Sequence, residues 1–130
     1  MIVTEKKPID ELIRHISDFN KIIILGCGDC ATICKTGGIN ETGELKNILK
    51  KKNFDIVHTD VIDTACDRRQ ARLKLKKLPY YDAIIVLACG SGVQTIGDLI
   101  DKPVISGLDS KYIGEIKRIG NFTEKCSACG

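Results

Sequence analysis

The chain has 130 residues, 43% hydrophobic and 28% charged, with a net charge of +3. That length suits one domain around one core, and the apolar content excludes a disordered polymer. A weak charge with 5% aromatics and no Trp argues against nucleic-acid binding, which needs a basic field and stacking platforms.

Met1 to Lys7 runs straight into charge and Pro8 without an apolar stretch, so no signal peptide is expected. Pro8 to Phe19 predicts an amphipathic helix: Ile9, Leu12, Ile13 and Ile16 recur at helical spacing, and proline suits the first position. Ile22 to Leu25 is a continuous apolar run, as in a strand buried on both faces. Leu45, Ile48 and Leu49 mark a short helix that ends in Lys50, Lys51 and Lys52, and Phe54 to Val61 predicts a second strand. A basic helix follows from Arg68 to Leu78, stopped by Pro79. Asp82 to Ala88 predicts a third, doubly buried strand. Val93, Ile96, Leu99 and Ile100 predict a helix, and Pro103 to Ser106 a fourth strand. Leu108 to Phe122 yields no single element; within it Tyr112–Ile119 fits either a hairpin strand or a frayed helix. The apolar runs are far too short to cross a bilayer, so a cytoplasmic protein with no membrane partner is expected.

Alternation of helices with apolar strands predicts an α/β fold, a small doubly wound parallel sheet of about four strands. Right-handed crossovers give the order 2-1-3-4 with helices on both faces. Residues 1–122 form this cysteine-rich domain, and residues 123–130 form a Cys-x-x-Cys tail.

Seven cysteines then demand an explanation. The number is odd, no export signal is visible, and clustered thiols in a reducing compartment point to metal or redox chemistry. Cys27, Cys30 and Cys34 follow the first strand, Cys66 the second and Cys89 the third. Parallel strands point one way, so all five thiols are expected at the carboxyl edge, where such sheets bind ligands. A lone Cys66 or Cys89 would read as a small buried hydrophobe; five at strand ends read as a shared site. Soft thiolates select zinc or an iron–sulfur cluster, and a [4Fe–4S] cluster takes four. One of the five is left over, and Cys27, nearest the strand, is the one the sequence offers. Gly26, Gly28 and Gly90 let backbone pass close to a bound group. A zinc-binding structural or interaction module is the alternative.

Two weaker signals compete. Gly26-Cys27-Gly28-Asp29-Cys30-Ala31 matches the dinucleotide pattern G-x-G-x-x-A. Asp60 could take the place of the ribose acid but lies well beyond the ~20 residues usual there. His15 and His58 have no spacing that pairs them with a base or a metal, and no catalytic triad or carboxylate pair is evident. Cys126 and Cys129 offer half of a second tetrahedral site.

Taken together, Gly26-Cys27-Gly28-x-Cys30-x-x-x-Cys34-x-x-Gly37-Gly38, Cys66-Asp67, Ala88-Cys89-Gly90-x-Gly92-Val93-Gln94 and Cys126-x-x-Cys129-Gly130 resemble the methylenetetrahydrofolate reductase C-terminal domain family. The resemblance spans nearly the whole chain. It implies an iron–sulfur electron-transfer component, not itself catalytic, partnering a flavin-bearing methylenetetrahydrofolate reductase subunit in the one-carbon metabolism of anaerobes. It also implies that Cys126 and Cys129 begin a second metal site, truncated here.

Overall fold

A computed structural model describes residues 1–129; Gly130, the last residue of the Cys126-x-x-Cys129-Gly130 motif, lies outside the described residues. The strands are β1 (Ile2–Lys6), β2 (Lys21–Cys27), β3 (Asp55–Ile62), β4 (Ala83–Leu87), β5 (Val104–Ser106), β6 (Leu108–Arg118) and β7 (Asn121–Cys126). The helices are α1 (Ile9–Ile16), α2 (Cys30–Ile33), α3 (Ile39–Lys51), α4 (Arg68–Leu75) and α5 (Gly90–Leu99).

The α/β class holds, with a four-stranded parallel sheet at the centre. Its order over the whole chain is β3-β2-β4-β5, not 2-1-3-4, because a strand missing from the sequence reading precedes it. In space, Lys21–Cys27 lies between Asp55–Ile62 and Ala83–Leu87, with Val104–Ser106 outermost. The two central strands carry the apolar runs: Ile22, Ile23, Ile24, Leu25, Ile84, Ile85 and Val86 have no exposed surface. Each such side chain contributes about 1.5–3 kcal/mol by leaving water.

Right-handed crossovers put α3 on one face and α4 and α5 on the other. The core side chains Leu45 and Leu49 come from α3, Ala71 from α4, Ile96 from α5, and Leu12 and Ile16 from α1. Helix α3 runs 13 residues, longer than expected. Its start is closed by Glu41, whose Oε1 accepts from the Gly38 N–H at 2.9 Å. At its end Asn53 adopts φ +68°, while the N–H groups of Asn53 and Phe54 return to the carbonyls of Lys50 and Leu49. A left-handed residue satisfies the last carbonyls in this way, and Asn tolerates that conformation.

One parallel sheet does not account for the chain. A second, antiparallel sheet of three strands, β1-β6-β7, joins both ends of the sequence. The first residues, given no element by the sequence, form β1, and residues 108–122 resolve into β6 and the start of β7. Their hairpin turns through Ile119 and Gly120, where φ is +78°. The expected boundary between residues 122 and 123 falls inside β7. Among the described residues no helix is long and apolar enough to cross a membrane.

Candidate metal centre

Backbone packing builds the carboxyl edge of the parallel sheet before any thiol is considered. After β2 the chain turns through α2, one helical turn, and comes back at Gly37. The Cys27 N–H donates to the Gly37 carbonyl at 3.0 Å, and the Gly28 N–H donates to the Ile62 carbonyl at 2.8 Å. A Cβ on Gly37 would run into the Leu87 carbonyl oxygen. The cysteine-bearing turn is therefore seated between the ends of β3 and β4, the strands that lead to Cys66 and Cys89.

Hydrogen bonds from the second sheet fasten the same turn. Thr36 Oγ1 lies 2.7 Å from Thr4 Oγ1 of β1 and 3.2 Å from the Ala31 carbonyl. The Gly90 N–H donates to Ser110 Oγ of β6 at 3.0 Å, beside Cys89. Thr4, Thr36 and Ser110 are absent from the sequence reading, because strand pairing over such separations leaves no local spacing to detect.

Cys27 ends β2 and is buried, Cys30 opens α2 half-buried, Cys66 is exposed in the turn after β3, and Cys89 is buried directly before α5. Cys27 Sγ accepts the Ala65 N–H at 3.5 Å. That bond ties the first thiol to the residue next to Cys66. Burial pushes the Cys30 thiol up; the charges of Asp29, Cys89 and Cys27 add to the rise, and the Ile2 backbone opposes it. Cys66, exposed as a residue, is also pushed up, first by partial desolvation of its thiol and then by the charges of Cys89, Cys27 and Cys30. Cys30 and Cys66 are thus both disfavoured as free thiolates. A cation among them removes both the burial and the repulsion penalties, since metal binding takes up the thiolate form.

Cys34 takes another direction. Its Sγ contacts the Ile2 carbonyl at 4.0 Å, against β1. Cys126 and Cys129 are exposed; Cys126 ends β7 in the other sheet, opposite Ile113, and Cys129 follows it. Among the described residues no group of three or more His, Cys, Asp or Glu side chains is set close enough to hold one metal ion.

The glycines expected near a bound group have other neighbours. A Cβ on Gly26 would collide with the Gly37 carbonyl, and one on Gly28 would lie 3.0 Å from the Asp63 carbonyl oxygen. Both positions serve close backbone packing. At Gly90 the nearest atom to a Cβ is Ser110 Oγ at 3.8 Å, so that position is open.

Asp60 is held by Lys74 Nζ, 3.0 Å from each carboxylate oxygen, and accepts the Val61 N–H at 2.8 Å. His58 Nε2 stands 3.8 Å from the same carboxylate. This carboxylate is engaged within β3 and α4, which weighs against a ribose-binding role. No family model and no curated protein matches the sequence.

Proposed function

We propose that this chain is a cytoplasmic electron-transfer subunit or domain that holds a [4Fe–4S] cluster on Cys27, Cys30, Cys66 and Cys89. The observation that carries the reading is the delivery of these four thiols to one sheet edge by the ends of three neighbouring parallel strands, where Cys27 Sγ accepts the N–H of Ala65, the residue beside Cys66. The donor set fits the group: four soft thiols, the number such a cluster takes. A cubane binds one thiolate at each of four irons, so its ligands need not share a single ion's coordination sphere. Bound there, the cluster supplies one-electron transfer.

The chain's own residues set the conditions. Cys27 and Cys89 are buried, and the Ala65 N–H donates toward the Cys27 sulfur. Both burial and N–H donors to sulfur tune the potential of such centres. Cys34, whose Sγ lies 4.0 Å from the Ile2 carbonyl, is taken as the thiol left over. The motif resemblance supplies the partner: a flavin-bearing methylenetetrahydrofolate reductase subunit, exchanging electrons one at a time with the cluster.

Anaerobic purification followed by iron, sulfide and zinc analysis tests the reading. A brown protein with iron and sulfide in equal amounts supports it. A colourless protein that holds zinc alone, after reconstitution with iron and sulfide has failed, replaces it with a structural zinc module.

A further inference from the structure

The thiol edge meets solvent at Cys66, the exposed member of the four; Cys27 and Cys89 are buried and Cys30 half-buried. Directly after Cys66, Asp67 caps α4, accepting the Arg69 N–H at 2.9 Å and the Gln70 N–H at 3.4 Å. The helix start is therefore fixed one residue beyond the thiol. Ala71 faces the core with no exposed surface, while Leu73 is 60% exposed. Arg69, Leu73 and Lys76 follow at helical spacing, so they share the solvent side of α4 and its C-terminal end.

Charge is concentrated here to an unusual degree. Residues 64–81 hold six cations against one acid, a local +5. The whole chain totals +3, leaving −2 for everything else. Arg69 pairs with Asp67 and Lys74 with Asp60. Among the described residues, Arg68, Arg72, Lys76 and Lys77 form no ion pair. The chain's excess positive charge is thus concentrated in the segment that carries Cys66 and α4.

We propose that the solvent face of α4, with Cys66 at its head and Leu73 at its centre, docks an acidic surface of a one-electron redox protein. The proposal rests on the electron-transfer reading above and names the face through which transfer runs. Clustered charge steers an oppositely charged partner and orients it, an effect felt over about a Debye length, ~8 Å at physiological salt. The exposed Leu73 gives the patch an apolar contact inside a charged rim, the usual anatomy of an interface. A nucleic acid fits less well. The segment's aromatics sit beyond the far end of the helix, where Tyr80 already carries the Lys102 ammonium 4.1 Å from its ring centre.

The test uses flavodoxin, an acidic one-electron flavoprotein, and a short DNA duplex as probes. Each is titrated into the isotope-labelled full chain at low salt, with backbone amide shifts followed by NMR. Flavodoxin is expected to move the signals of residues 64–77, with an affinity that falls as salt rises. The triple variant Arg68→Glu, Arg72→Glu and Lys76→Glu should bind about tenfold or more weakly, from three attractions converted to repulsions. Lys50→Glu, Lys51→Glu and Lys52→Glu together change the net charge equally on a different helix and should leave the affinity within about twofold. Shifts centred elsewhere, equal losses in the two variants, or tighter binding of the duplex at α4 would each overturn the proposal. Iron analysis of the same samples separates the two claims. Shifts on α4 without iron after reconstitution keep the docking face and remove the electron-transfer reading; iron with shifts elsewhere does the reverse.

Discussion

Gly26 is the position where backbone packing and metal binding predict different outcomes. A Cβ built there collides with the Gly37 carbonyl oxygen and comes within 2.8 Å of Thr42 Cγ2 and 3.2 Å of the Gly37 carbonyl carbon. Gly37 has no room to retreat, because its own missing side chain is what lets it lie against the Leu87 carbonyl. Gly26→Ala therefore costs about 1–3 kcal/mol for overpacking against rigid backbone. Loss of the Cys27–Gly37 hydrogen bond adds about 1 kcal/mol. The total, about 2–4 kcal/mol, is a large fraction of the ~5–15 kcal/mol that holds a domain together. Urea unfolding of the metal-free variant reads this directly as a lower midpoint with an unchanged slope. Iron uptake should fall as well, since Cys27 and Cys30 ride on the displaced turn. If metal-free stability stays within about 0.5 kcal/mol of the parent, the packing argument fails, and any loss of iron then means that the space beside Gly26 belongs to the cluster.

Other perturbations probe the supports of the site. Thr36→Val removes the partner of the buried Thr4 hydroxyl and should cost about 1–3 kcal/mol. Adding Thr4→Val should recover part of that cost, and a strictly additive double variant would show that the two hydroxyls are not coupled. At Asp60 burial works against the charge, but the Lys74 hydrogen bond and the Val61 N–H outweigh it, holding the carboxyl below its ordinary 3.8. A carboxyl with a lowered folded value stabilises above the unfolded value and loses that contribution as pH falls through the folded one. Asp60→Asn should accordingly cost no more than about 1 kcal/mol at neutral pH, the pair being part-exposed. Stability curves of parent and variant should converge in strong acid, and a gap that widens there would contradict the assignment. Cys126→Ser and Cys129→Ser together should leave the iron content of the parallel-sheet site unchanged, because β7 stands in the other sheet.

Sequence made the central sheet legible for a simple reason. Ile22 to Leu25 and Ala83 to Leu87 are apolar at every position, a pattern that only burial on both faces explains. With those strands placed, topology alone sends Cys27, Cys66 and Cys89 to one edge. Helix α1 was legible from its i, i+3, i+4 spacing, although it stops at Ile16, short of Phe19. The second sheet was not legible. Its strands pair residues as far apart as Ile2 and Ile113, and β6 buries only Leu108 and Gly114 of its 11 residues, so its alternation is faint. Missing β1 hid the neighbour that Cys34 Sγ contacts, the Ile2 carbonyl. The glycines carry a role the sequence did not show: at Gly26 and Gly28 the space a Cβ would take is filled by Gly37 and Asp63.

The account stands on sulfurs from three strand ends sharing one inorganic centre, and a one-at-a-time serine scan of Cys27, Cys30, Cys34, Cys66 and Cys89 tests it most directly. With iron per chain measured after anaerobic reconstitution, the serine variants of Cys27, Cys30, Cys66 and Cys89 should each lose the metal, and Cys34→Ser should keep it. Full iron retention in Cys66→Ser or Cys89→Ser would contradict the shared centre.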